Sequence, residues 1–124
     1  MIQNGDPILI DMDTLCLGHP VFELGSMFNA FLGFSSVNHK EIENFMGYDR
    51  KTSESFWRLT LKKYLGTEDE ALCNEIEKKA MIVGYTRLLR RAVRRPNAAD
   101  SAAMIEHCKS ELNKLLEEVD SLVF

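Results

Sequence analysis

From Val21 onward the apolar residues recur at helical spacing between marked caps and breakers. Downstream of residue 35 no segment alternates apolar and polar residues as a half-buried strand would. Any sheet is therefore confined to the N-terminal segment, and the rest of the fold is a matter of helix packing. Val21 to Leu32 carries Phe22, Leu24, Met27, Phe28, Phe31 and Leu32, apolar nearly all round. This predicts a buried helix entered through Pro20, whose fixed φ suits a first turn, and ended by Gly33-Phe34-Ser35-Ser36. Asn38 with Glu41 has capping-box spacing for a short helix stopping near Gly47. Thr52 or Ser53 starts the next, which bears Phe56, Trp57, Leu61, Tyr64 and Leu65 and ends at Gly66. Thr67 with Glu70 opens a long helix that Pro96 breaks after about Arg95. Asn97, with Asp100 three positions on, caps a last helix running close to the C-terminus.

Ahead of the helices, Asn4-Gly5 supplies the two positive φ values of a type I′ turn, so residues 1–10 read as a short hairpin. Pro7 suits the first position of its second strand, because it cannot donate to a ladder. The apolar run Ile8-Leu9-Ile10 ends in Asp11-Met12-Asp13. In a strand, positions i and i+2 share a face, so Asp11 and Asp13 could meet one cation. The same pair would also serve as turn formers at a strand end. The chain reads as one mainly α domain over residues 1–124. Its hairpin and metal-site strand occupy 1–14, and about five helices occupy 20–124.

Ile10-Asp11-Met12-Asp13, then Gly18-His19-Pro20, then Glu23-Leu24, resembles the metal-binding segment of the aminoglycoside phosphotransferase and choline kinase-like family. In that family a strand ending in Ile-Asp leads through a small loop to Gly-x-Pro-x-x-Asp-Leu at the head of a helix. The resemblance is specific over about the first thirty residues; beyond them only helical character is shared. It implies the helical part of a kinase-like C-terminal lobe, with Asp11 holding the magnesium of ATP and Asp13 bridging or supporting it. It also implies relatives that transfer the γ-phosphoryl group to a hydroxyl of a small-molecule substrate. Two departures are visible. Glu23 stands where the family has an Asp that braces the catalytic loop, and the chain contains no His-Gly-Asp loop and no Gly-rich phosphate loop. The expectation is a C-terminal phosphotransferase fragment without nucleotide lobe or base, inactive alone, since positioning and charge stabilisation depend on those parts. The alternative is a non-catalytic helical interaction module that keeps the fold for its surfaces. Asp11-Met12-Asp13 also resembles the nucleophile and acid/base pair of haloacid dehalogenase phosphatases. There, however, Thr14 follows one position too early, and no later parallel strands supply the remaining groups.

A net charge of −4 argues against nucleic-acid binding, which needs clustered positive charge over the whole footprint. No stretch is long enough to span a bilayer, and no basic segment precedes an apolar run as in a signal peptide, so a cytoplasmic location is expected. Cys16, Cys73 and Cys108 are odd in number and widely spaced, consistent with small thiols in a reducing compartment. His19, His39 and His107 lack the spacing of metal ligands. Ile105, Cys108, Leu112, Leu115, Val119 and Leu122 form the seam of a helix packed nearly parallel to its neighbour, within the chain or across a dimer. Arg87, Arg90, Arg91, Arg94 and Arg95 crowd a helix C-terminus, where the dipole favours cations; an anion or acidic partner is the functional alternative. A homodimer through the exposed hairpin edge is expected.

Overall fold

A computed structural model describes residues 2–8 and 16–124. The hairpin forms as the turn chemistry requires. Strands β1 (Ile2–Gln3) and β2 (Asp6–Pro7) pair antiparallel, Ile2 opposite Pro7 and Gln3 opposite Asp6. Asn4 has φ 54° and Gly5 φ 90°, both in the left-handed region a type I′ turn demands. Ile8 lies just past β2; the continuation of the strand through Asp11 and Asp13 falls outside the described residues.

The remainder is mainly α, as its periodicity predicts. The helices are α1 (Val21–Phe31), α2 (Lys40–Met46), α3 (Arg50–Leu65), α4 (Glu70–Arg94) and α5 (Ser101–Glu118). A 3-10 turn, Gly33–Ser35, follows α1. Pro20 stands at the N-cap of α1, and Gly47 and Gly66 end α2 and α3 with φ of 77° and 64°. Each glycine takes a left-handed conformation that a Cβ would disfavour.

Four starts differ from the sequence expectation. At α2 the N-cap position belongs to His39, not Asn38, and its side chain makes no capping bond. Helix α3 begins earlier, because the Asp49 carboxylate accepts the Thr52 N–H at 2.8 Å and caps it. Ser53 is instead fully buried, its hydroxyl donating to the Phe31 carbonyl at 2.5 Å and so closing the end of α1. At α4 the cap is Asp69, which accepts from Ala71 N and Leu72 N, while Thr67 Oγ1 accepts from Asp69 N one step outside. At α5 the N-cap position belongs to Asp100, not Asn97, and its side chain makes no capping bond.

Helix α4 is the central element, with α1 and α5 along its sides and α3 beneath α1. Leu24, Phe28, Trp57, Leu61, Ile76, Tyr85, Leu88, Cys108 and Leu115 form the shared core. Phe28 is its hub, edge-to-face on Trp57 of α3 (6.0 Å) and on Tyr85 of α4 (5.2 Å). The α5 seam turns inward: Cys108 and Leu115 are buried, and Leu112, Val119 and Leu122 pack against the core. Helix α1 is less enclosed than its composition suggests. Val21, Leu24, Gly25, Phe28 and Asn29 are buried, but Phe22 is half exposed.

The α1–α4 contact is a glycine crossing. A Cβ on Gly84 would lie 2.6 Å from Phe28 Cδ1 and 3.1 Å from the Gly25 carbonyl; one on Gly25 would lie 2.7 Å from Val83. Asn29 secures the crossing by donating its Nδ2 to the Gly84 carbonyl at 3.0 Å. Going from Gly25 to Gly33 along α1, the neighbours advance from Ala80 to Leu88 along α4, so the two helices run parallel. Helix α5 runs back antiparallel, with Ser101 at the Arg95 carbonyl and Glu118 at Lys78. Ion pairs lace α3 to α4: Arg58 reaches Glu77 (3.0 Å) and Glu70 (2.5 Å), and Trp57 Nε1 donates to Glu77 at 2.7 Å.

Candidate functional site

The two ends of α4 carry different features. The sequence-predicted ligands Asp11 and Asp13 lie outside the described residues. What surrounds them in sequence is described. Cys16, Leu17 and Gly18 are exposed, and His19 accepts the Val21 N–H on Nδ1 (3.3 Å) and stands edge-on to Phe124 at 4.9 Å. His19 thus acts as a local brace between the start of α1 and the C-terminus. Lys79, buried in α4, holds the same region by donating to the Val123 carbonyl at 2.9 Å and pairing with Glu75. Glu23 is exposed in the first turn of α1, where a carboxylate suits the helix dipole. Among the described residues no three His, Cys, Asp or Glu side chains converge as metal ligands.

The other end carries a built feature. Arg87, Arg91 and Arg95 recur at steps of four on α4, with Arg90 and Arg94 beside them, so the guanidinium groups line two adjacent stripes. All five are exposed, and none pairs with a carboxylate among the described residues. Elsewhere Arg50, Arg58, Lys62, Lys78, Lys79, Lys109 and Lys114 are each ion-paired, and only Lys40, Lys51 and Lys63 are in no such pair among the described residues. The densest group of unpaired positive charge among the described residues therefore lies at one end of one helix.

An apolar surface adjoins it. The 3-10 turn projects Phe34 against α4, and the Arg91 guanidinium lies 5.0 Å above its ring centroid, a cation–π contact that orients the arginine. The turn itself is fixed from below by Arg50, which donates to the Ser35 carbonyl (3.1 Å) and hydroxyl (3.2 Å). Phe34 and Arg91 together line three neighbouring cavities. One, of about 280 Å³, lies between α1 and α4 and is walled by Ser26, Leu88 and Arg87. A second, of about 220 Å³, opens toward Met104 and Asp100, and a third, of about 270 Å³, toward Ile42, Phe45 and Glu41. Arg87 is anchored into the first by donating to the Ser26 hydroxyl, which in turn donates to the Phe22 carbonyl at 3.1 Å. The arrangement can grip an anion with two planar guanidinium groups and shelter an apolar body on Phe34 and Leu88. The arginine run is visible in the sequence; Phe34 and Ser26 join it only through folding, and no local pattern pairs them with it.

In comparisons with protein-family models, curated proteins and solved structures, the chain matches none. No helix of the described residues is long and apolar enough to cross a membrane.

Proposed function

We propose that this chain is the helical part of a small-molecule phosphotransferase of the aminoglycoside phosphotransferase and choline kinase-like type. One observation carries the reading: Ile10-Asp11-Met12-Asp13 followed by Gly18-His19-Pro20, with Pro20 at the N-cap of α1. The hairpin before it and the mainly α body after it support the same assignment. Asp11 is the magnesium ligand, with Asp13 as a bridging or supporting carboxylate. Hard carboxylate oxygens are the donor type this cation prefers, and one or two of them leave it mostly hydrated until nucleotide phosphates complete the shell. Bound there with ATP, magnesium would neutralise charge on the transferring phosphoryl group. The substrate of the reaction is a small molecule bearing a hydroxyl. The sequence contains no His-Gly-Asp loop or Gly-rich phosphate loop, so the chain alone transfers no phosphate.

Manganese titration followed by water-proton relaxation tests the assignment. Weak binding that Asp11→Ala abolishes is the expected result. Equal binding by the wild type and the variant would remove it, and ATP-dependent phosphorylation of choline or an aminoglycoside by the purified chain would overturn its description as a fragment inactive alone.

A second reading is favoured by the unpaired arginine face: a non-catalytic helical module that works through its surfaces. Both readings include a homodimer. Ile8, Leu17 and Phe22 are exposed, and the edge of a two-stranded hairpin can pair with another chain. Both also place the chain in the reducing cytoplasm, where an exposed Cys16 and buried Cys73 and Cys108 stay as thiols.

A further inference from the structure

We infer that the cavity between α1 and the C-terminal half of α4 binds a small organic phosphate, its phosphate on Arg87 and Arg91 and its apolar or aromatic body on Phe34. This does not rest on the phosphotransferase reading, which is carried by Asp11 and Asp13 and not by these arginines. Three observations converge. Arg87 and Arg91 are one helical turn apart and line the same cavity of about 280 Å³, close to the lower size of small-ligand sites. Both are already oriented, Arg87 by the Ser26 hydroxyl and Arg91 by the Phe34 ring, so little side-chain freedom is lost when an anion arrives. Neither has a carboxylate partner among the described residues, and the acids of this region, Glu41 and Asp100, line the two neighbouring cavities instead.

The chemistry selects phosphate over a carboxylate. Two guanidinium forks offer more donors than one carboxylate can accept, whereas a phosphate monoester presents three oxygens and about two negative charges. Arg90, Arg94 and Arg95 raise the local potential without lining this cavity, so they attract the anion and contribute less to holding it. Phe34, 41% exposed, offers a ring face on which an apolar body can rest.

Isothermal titration of the full chain at low salt, with phenyl phosphate, inorganic phosphate and benzoate, tests the proposal. Phenyl phosphate should bind about tenfold more tightly than either other probe, as expected when both charge-assisted bonds and the ring contact form. Arg87→Ala and Arg91→Ala should each weaken it by about tenfold or more. Phe34→Ala should bring phenyl phosphate down to the level of inorganic phosphate. Lys109→Ala, on α5 and outside the cavities that Phe34 lines, should leave it unchanged. Circular dichroism identifies any variant that loses helix, and chemical-shift changes at Ser26 and Gly33 locate binding in the wild type without substitution. Phenyl phosphate no tighter than inorganic phosphate, full affinity in Arg91→Ala, or shifts confined to another face would each overturn the proposal. So would tight binding of poly-glutamate with no response to phenyl phosphate, which would make the face a docking surface for an acidic protein.

Discussion

Gly84 shows how one missing side chain sets the distance between two helices. In mid-helix, alanine would ordinarily gain about 1 kcal/mol over glycine. Here its Cβ would meet Phe28 Cδ1 at 2.6 Å and the Gly25 carbonyl at 3.1 Å, and neither can retreat without parting α1 from α4. Separation would also stretch the buried Asn29–Gly84 hydrogen bond. Overpacking of this kind costs about 1–3 kcal/mol, so it outweighs the propensity gain. Gly84→Ala should therefore lower the urea midpoint. A rise would show that the crossing is looser than the contacts imply. Phe28, the hub of the aromatic cluster, should be costlier: Phe28→Ala should lose about 3–5 kcal/mol in the same titration.

At the scale of elements, helix content and order were legible in the sequence because the 3.6-residue period and the glycine stops act locally. The starts were less so. Thr67 and Glu70 have the spacing of a capping box, but Asp69, closer to the first free N–H groups, offers a carboxylate and takes the position. Ser53 fits a cap by type, yet a tertiary partner, the Phe31 carbonyl, claims its hydroxyl. Phe22 reads as core from composition and lies outward, because the buried stripe of α1 is set by where α4 passes. The arginine run was visible, but its pairing with Phe34 and Ser26 joins residues some sixty positions apart and leaves no local trace. The Asp49 cap gives the element-scale test. Its carboxyl is held below the usual range by the hydrogen bond from Thr52. Asp49→Ala should lower the urea midpoint through loss of the cap, whereas Asp49→Asn should keep most of the wild-type midpoint.

For the whole molecule, pH sensitivity should be sharpest on the alkaline side. Burial pushes the Tyr85 hydroxyl up to about 12 and the Cys108 thiol up to about 11. Both folded-state values lie above the unfolded ones, 10.0 and 9.0, so between them the native chain holds more protons than the unfolded one. The stabilisation is complete below pH 9 and is lost as pH rises through that window. Urea midpoints at pH 8, 9.5 and 10.5 should fall in that order, and Cys108→Ala should flatten the first step; a constant midpoint would contradict the burial of both groups. Association is the other whole-molecule test. Sedimentation at micromolar concentration should show a dimer that charge substitutions at Ile8 and Phe22 disperse. A monomer at that concentration would remove the hairpin-edge interface.

Parallel packing of α1 on α4 also has a consequence in time. Helix α5 follows its partner after a short connection, but α1 is made some fifty residues ahead of the surface it needs. At roughly 5–20 residues per second on the ribosome, its apolar stripe waits several seconds before Ala80, Val83 and Gly84 have even been joined to the chain. Among the described helices α1 is thus made before the others, yet its stripe finds its main shelter only when α4 follows.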